Sequence, residues 1–144
     1  MSFHSAPRPS FFLRSRLRAV RSGAAAQPRR ILVVEDQAVI RRALADELAL
    51  EGYEVAQAEN ATEAILMIGS GATYELVLTD IDMPGPFNGI HLAEFIKYVS
   101  PETRVIVMSG ASHAVDQLAS IDAFVRKPAP SSELRRQVAK LFAP

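Results

Sequence analysis

Four short apolar stretches of this chain each lead into a group able to do chemistry. Ile31-Leu32-Val33-Val34 runs into Glu35 and Asp36, and Leu76-Val77-Leu78-Thr79 into Asp80. Val105-Ile106-Val107-Met108 runs into Ser109, and Phe124-Val125-Arg126 into Lys127. Such runs read as strands buried on both faces of a parallel sheet. In an open α/β sheet, ligands bind at the carboxyl edge of the strands, so residues distant in sequence meet there. Carboxylates, a hydroxyl and an ammonium gathered at one spot suit a divalent cation and a phosphoryl group. A carboxylate such as that of Asp80 can attack phosphorus and form an acyl phosphate. Glu35 and Asp36 can help hold Mg2+, which takes oxygen ligands in octahedral geometry at about 2.0–2.1 Å. The ion would offset the repulsion among clustered carboxylates. Lys127 is a mobile point charge suited to a phosphoryl group, and the Ser109 hydroxyl can donate to a phosphoryl oxygen. Taken singly, each residue has a blander reading: a turn aspartate, an acidic helix N-terminus, a surface lysine, a capping serine. The ordered set, each member at the end of its own strand, is far more specific.

To meet, these residues need a sheet, and from residue 30 the pattern alternates strand and helix five times. A helix is expected at about 38–50, with Ile40, Leu44 and Leu48 on one stripe and Gly52 as its stop. Tyr53–Ala58 reads as the second strand. Asn60 reads as an N-cap, with Glu63 three residues on in a capping-box-like arrangement, opening a helix to about Ile68. Leu76–Thr79 is the third strand, and a Pro- and Gly-rich loop follows from Asp80 to Asn88. The next helix, at about 89–99, carries Leu92, Phe95, Ile96 and Val99 as its buried stripe and ends before Pro101. Arg104–Met108 is strand four, followed by a short helix at about 112–119, and Ala123–Val125 is strand five. The last helix, about 131–142, follows a Ser131 cap and buries Leu134, Val138 and Leu141. Five βα units predict an α/β fold built on a doubly wound five-stranded parallel sheet.

The chain has 144 residues, about half of them apolar, enough for one domain with a core. Its zero net charge hides a split. Residues 1–30 hold seven arginines and no acid, while the remainder holds nine basic and sixteen acidic residues. Residues 1–29 read as a basic tail, broken by Pro7, Pro9, Gly23 and Pro28. Within it, Leu13, Leu17 and Val20 make one short amphipathic stretch. A disordered arm, an arm touching membrane or nucleic acid, and an organelle-targeting peptide all fit that composition. Cysteine is absent, which excludes disulfides and thiolate metal sites, and His4, His91 and His113 share no ligand spacing. No apolar run approaches the roughly 18 residues of a membrane span.

From residue 30 to 142 the chain resembles the receiver domains of two-component response regulators. The matching motifs are Val33-Val34-Glu35-Asp36, Thr79-Asp80-Ile81-Asp82-Met83-Pro84 with Asn88-Gly89 behind, Met108-Ser109-Gly110, and Phe124-Val125-Arg126-Lys127-Pro128. The resemblance implies a (βα)5 flavodoxin-like fold with Asp80 as phosphoacceptor. It implies Mg2+ at Glu35, Asp36, Asp80 and the backbone carbonyl of Asp82. It further makes Ser109 the switch hydroxyl, Lys127 the lysine that meets the phosphoryl group, and Phe124 the aromatic switch. The implied donor is a histidine kinase or histidine phosphotransferase, the location cytoplasmic, and the role that of a signalling module rather than an enzyme. No output or DNA-binding domain is expected after the last helix, so a single-domain regulator acting on a downstream protein is implied.

Three departures from the family pattern stand out. The loop from Asp80 to Gly89 is one residue longer than usual, through Pro84-Gly85-Pro86-Phe87. The interval from Ser109 to Lys127 is shorter by about one helical turn, so the helix between them is expected to be cut down. Position 82 is acidic, which adds negative charge beside the phosphoryl group. Rival readings remain. Glu35 with Asp80-x-Asp82 also resembles the metal-dependent Toprim nucleotidyl-transfer pattern, which leaves Ser109 and Lys127-Pro128 unexplained. A haloacid-dehalogenase-like phosphatase carries Asp-x-Asp on its first strand, unlike this chain. A pseudo-receiver that binds partners without phosphorylation would not need the five-residue set.

Overall fold

Continuous burial, with both faces of each strand covered, is what the apolar runs require, and the computed structural model, which describes residues 27–110 and 119–144, realises it. The strands are β1 (Arg30–Val34), β2 (Glu54–Ala58), β3 (Leu76–Asp80), β4 (Arg104–Ser109) and β5 (Ala123–Arg126). The described helices are α1 (Ala38–Leu50), α2 (Ala61–Gly69), α3 (Gly89–Val99) and α4 (Ser131–Phe142). All strand pairs are parallel, in the order β2-β1-β3-β4-β5. That order is the flavodoxin-like doubly wound arrangement, whose switch point lies between β1 and β3. The expected fold class is therefore the observed one.

Successive side chains of a strand point to opposite faces, so each central strand feeds two cores. Leu32, Val34, Val77, Val105 and Val107 pack with Leu92 and Ile96 of α3 and with Ala61 and Ala64 of α2. Ile31, Val33, Leu76, Leu78, Ile106 and Met108 pack on the other face with Leu48 of α1 and with Leu134 and Val138 of α4. Both layers are required, because every residue from Ile31 to Val34 and from Leu76 to Thr79 is fully buried.

Local signals explain most element ends. Asn60 caps α2 by accepting from the Glu63 backbone N–H at 2.8 Å, while Glu63 accepts from the Glu59 N–H at 2.8 Å. Gly52 stops α1 with a φ of 98°, in the left-handed region that suits glycine. Three expectations need correction. Ile40 is 37% exposed and Val99 46% exposed. They sit in the first turn of α1 and the last residue of α3, where the sheet no longer backs the helix. Ser131 does not cap α4: Pro130 holds the N-cap position without a side-chain cap, and Ser131 is the first helical residue. All five strands also differ by a residue from their expected limits, and Arg30, Asp80, Ser109 and Arg126 prove to be strand residues. The short helix expected at about 112–119, His4, His113 and the amphipathic stretch around Leu13–Val20 lie outside the described residues. Arg29, the last residue assigned to the basic tail, pairs with Glu75 at 3.5 Å and lies over the Phe142 ring at 4.6 Å.

Candidate functional site

Parallel pairing in this register sets the carboxyl ends of β1, β3, β4 and β5 side by side. Asp80 pairs with Met108, and Ser109 pairs with Arg126. The Lys127 N–H donates to the Ser109 carbonyl at 2.9 Å, which ties the ends of β4 and β5 together. At that edge Glu35, Asp36 and Asp80 each offer a carboxylate oxygen, all within 4.8 Å of one another. Glu35 is fully buried, Asp80 is 6% exposed, and Asp36 opens to solvent. Lys127 reaches across from β5: its Nζ donates to Asp80 Oδ2 at 2.9 Å and lies 3.6 Å from Glu35 Oε2. The structure thus brings together four of the residues expected to form the site.

Glu35 is held from several sides. Its Oε1 accepts from the Gln37 N–H at 3.1 Å, and its carbonyl accepts from Arg41 Nη1 at 2.8 Å. Arg41 also donates to Gln57 Oε1 at 3.2 Å, tying α1 to β2. No hydrogen bond reaches Glu35 Oε2, and the 3.6 Å to Lys127 is an ion pair too long to be one. Burial pushes the Glu35 carboxyl above the usual carboxylate range. The Gln37 N–H pulls it back, Asp36 and the charge of Asp80 push it up again, and Lys127 offsets part of that. Partial desolvation pulls Lys127 down, but the hydrogen bond and charge of Asp80, with Glu35 behind, outweigh it and hold the ammonium above its ordinary value.

A buried carboxylate oxygen without a hydrogen bond, beside two more carboxylates, fits a hard divalent cation. An all-oxygen donor set favours Mg2+ over softer metals. A cation here would relieve the like-charge repulsion that raises Glu35. Because it binds the folded state alone, it stabilises the fold by mass action.

The sign of the Glu35 shift yields a prediction. A carboxyl whose folded-state pKa is raised loses stability as pH rises above the ordinary 4.5 and through the folded value. At neutral pH, Glu35→Gln is therefore expected to melt a few degrees higher than wild type without metal, and to gain less from Mg2+. Exposed Asp36→Ala should change the metal-free melt little but also lose most of the Mg2+ gain. Thermal melts across a Mg2+ titration check both. An undiminished Mg2+ gain in either variant would remove that residue from the cation site.

Ser109 is fully buried at the end of β4, and its Oγ lies 3.5 Å from Asp82 Oδ2. Phe124, half-buried on β5, pairs in register with Val107 and packs against the core shared with α2 and α3. The carboxylate of Asp82 does not join the acidic cluster; it turns to Ser109. Sequence reasoning missed this contact, as it missed the Arg41 clasp on the Glu35 carbonyl. Neither spacing nor residue type signals which partner such a side chain reaches once the elements are packed.

The loop behind Asp80 is anchored by the start of α3. Asn88 caps that helix by accepting from the Ile90 and His91 N–H groups at 2.9 Å, and His91 Nδ1 accepts from the Asn88 N–H at 3.0 Å. The Gly89 N–H donates to the Ile81 carbonyl at 2.9 Å.

Comparison with known proteins places this geometry in a family. The sequence model of the family described as "Response regulator receiver domain" matches residues 31–139. The transcriptional regulatory protein AruR of Pseudomonas aeruginosa is 35% identical over 113 residues, covering 73% of this chain and 46% of AruR. The chain spans about half the length of AruR and of other curated relatives it matches. Among solved structures, the Thermotoga maritima response regulator TrrA in complex with Mg2+ and BeF is 39% identical with a TM-score of 0.71, covering 79% of this chain and 99% of that one. TrrA is also solved in complex with the histidine kinase ThkA; there the likeness is 37% identity with a TM-score of 0.69, covering 80% of this chain and 99% of that one. The Toprim reading finds no support: the family match spans residues 31–139, with Ser109 and Lys127 inside it, and the Asp82 carboxylate is not one of those clustered with Glu35.

Proposed function

The chain belongs to the response regulator receiver domain family of two-component signalling, and on that premise we propose that Asp80 accepts a phosphoryl group from the phosphohistidine of a histidine kinase or histidine phosphotransferase. The observation that carries this reading is the position of Asp80, hydrogen-bonded to Lys127 on one side and grouped with Glu35 and Asp36 on the other. Glu35, Asp36, Asp80 and the backbone carbonyl of Asp82 would hold Mg2+. Once bound, the ion offsets the negative charge of the incoming phosphoryl oxygens.

In the transfer, a carboxylate oxygen of Asp80 attacks phosphorus, the donor's P–N bond breaks, and its electron pair leaves on the imidazole nitrogen. Lys127 and Ser109 then engage phosphoryl oxygens, one with its ammonium and the other with its hydroxyl. Phe124 changes rotamer in the space behind Ser109. Rotamers are discrete, so a small shift at Ser109 becomes a two-state change of the surface around β5. The domain assists its own modification and turns over no separate substrate, so its role is that of a signalling module. We assign residues 30–142 to this receiver domain, residues 1–29 to a basic segment outside it, and a cytoplasmic location to the protein. Among the described residues no helix is long and apolar enough to cross a membrane.

A cavity of about 510 Å³ beside the site supports partner docking. Ile40, Leu44, Val125 and Leu134 line it together with Glu35 and Lys127. Val39, 82% exposed on the first turn of α1, extends the apolar surface. An apolar helix face could rest there while its histidine meets Asp80.

Acetyl phosphate with Mg2+ tests the reading by intact mass. The expected result is a gain of one phosphoryl group that fails to appear when EDTA removes the ion. A protein that stays unlabelled, or labels equally with EDTA, would overturn the assignment.

A further inference from the structure

We propose that the Asp82 carboxylate is a latch on Ser109, holding the switch hydroxyl in the unphosphorylated state and so setting how readily the domain switches. The inference rests on the phosphoacceptor reading above and deepens it.

Three observations carry it. Ser109 is buried at the end of β4, with its Oγ 3.5 Å from Asp82 Oδ2. Asp82 lies two residues past Asp80, yet its carboxylate is not one of the three, from Glu35, Asp36 and Asp80, that gather within 4.8 Å of one another. Asp82 is itself exposed, on a loop whose end is pinned by the Gly89 N–H to the Ile81 carbonyl at 2.9 Å, so its place opposite Ser109 is set by backbone as well as by side chain.

The chemistry is a competition for one proton donor. A serine hydroxyl has a single O–H. While it points to Asp82, it cannot donate to a phosphoryl oxygen on Asp80. Switching must break the Asp82 contact and bring a second anion near the Asp82 carboxylate. The latch therefore favours the unphosphorylated state. At 3.5 Å and with one exposed partner its strength is modest, below that of a short charge-assisted bond. It is a positioning residue, acting through Ser109.

The test is a pair of double-mutant cycles on wild type, Asp82→Ala, Ser109→Ala and the double variant. The first measures denaturant midpoints without ligand, the second beryllofluoride affinity at saturating Mg2+. Without ligand, the Asp82→Ala and Ser109→Ala effects should be non-additive, because each removes the same contact. With beryllofluoride, Asp82→Ala should bind roughly three-fold tighter than wild type, a modest ratio in keeping with a weak hydrogen bond. In the Ser109→Ala background most of that gain should vanish. An equal gain in both backgrounds would mean that Asp82 acts as bare charge, and additive midpoints would mean that no latch exists; either overturns the proposal. If wild type fails to bind beryllofluoride while the midpoints remain coupled, the phosphoacceptor reading has failed and the role in switching falls with it, although the contact is real.

Discussion

Asp80→Asn is expected to abolish phosphoryl labelling by acetyl phosphate while leaving the protein folded. Asparagine keeps the shape of the side chain but removes the carboxylate that would form the acyl phosphate. The neighbours cannot take over. Glu35 is fully buried with Oε1 occupied by the Gln37 N–H, and Asp36 faces solvent, where Lys127 makes no contact with it. Loss of the Asp80 charge also relieves one of the influences that raise Glu35. The variant should therefore be destabilised by no more than the charge-assisted Lys127 hydrogen bond contributes, about 1.5–3 kcal/mol. Intact mass after incubation with donor and Mg2+, read beside a thermal melt, separates chemistry from folding. Equal labelling of variant and wild type would move the phosphoacceptor elsewhere.

Gly89→Ala is expected to be the most damaging single-methyl change near the site. A Cβ at Gly89 would stand 2.1 Å from the Asp80 carbonyl oxygen, 2.9 Å from the Asp80 carbonyl carbon and 3.0 Å from the Ile81 Cα. All three atoms belong to the backbone, so no side chain can swing aside. Either α3 backs away or the chain at Asp80 shifts. Overpacking of this kind costs about 1–3 kcal/mol, and the absence of any flexible neighbour puts it at the upper end. In a domain near 100 residues that lowers Tm by about 10–20 °C. Labelling should slow as well, since displacing a reacting group by about 1 Å can cost on the order of 100-fold. Gly69→Ala is the control. Nothing lies within 4 Å of its Cβ, it sits at the end of α2, and alanine is the better helix former. A Gly89→Ala protein that melts and labels like wild type would show that α3 can retreat from the loop at little cost.

Gly89 also marks the boundary of what sequence reasoning reaches. The Asn88-Gly89 pair is recognisable as a landmark of the resemblance, but its reason is steric and lies in the backbone of Asp80 and Ile81, nine and eight residues away. The strands were legible because burial on both faces leaves only apolar residues, and runs such as Leu76–Leu78 have no other ready explanation. The helices were legible through caps and periodicity, down to Asn60 on the Glu63 N–H. Where periodicity misled, at Ile40 and Val99, the stripe ran past the part of the helix that the sheet covers. At Ser131 the serine itself misled, because Pro130 already supplies the extended residue that starts α4.

By itself the sequence determined the parallel αβ order, the residues at the strand ends, and therefore the meeting of Glu35, Asp36, Asp80 and Lys127. Strand polarity alone carries side chains at the ends of parallel neighbours to one edge, whatever the details of packing. Only the tertiary structure decided how those groups share their partners. Lys127 gives its hydrogen bond to Asp80 and leaves Glu35 Oε2 with an ion pair alone. Asp82 reaches Ser109 at 3.5 Å and is not one of the clustered carboxylates. Choices of that kind rest on differences of an ångström between loops remote in sequence. Hydrogen bonds are decided at that scale, and residue type and spacing cannot express it.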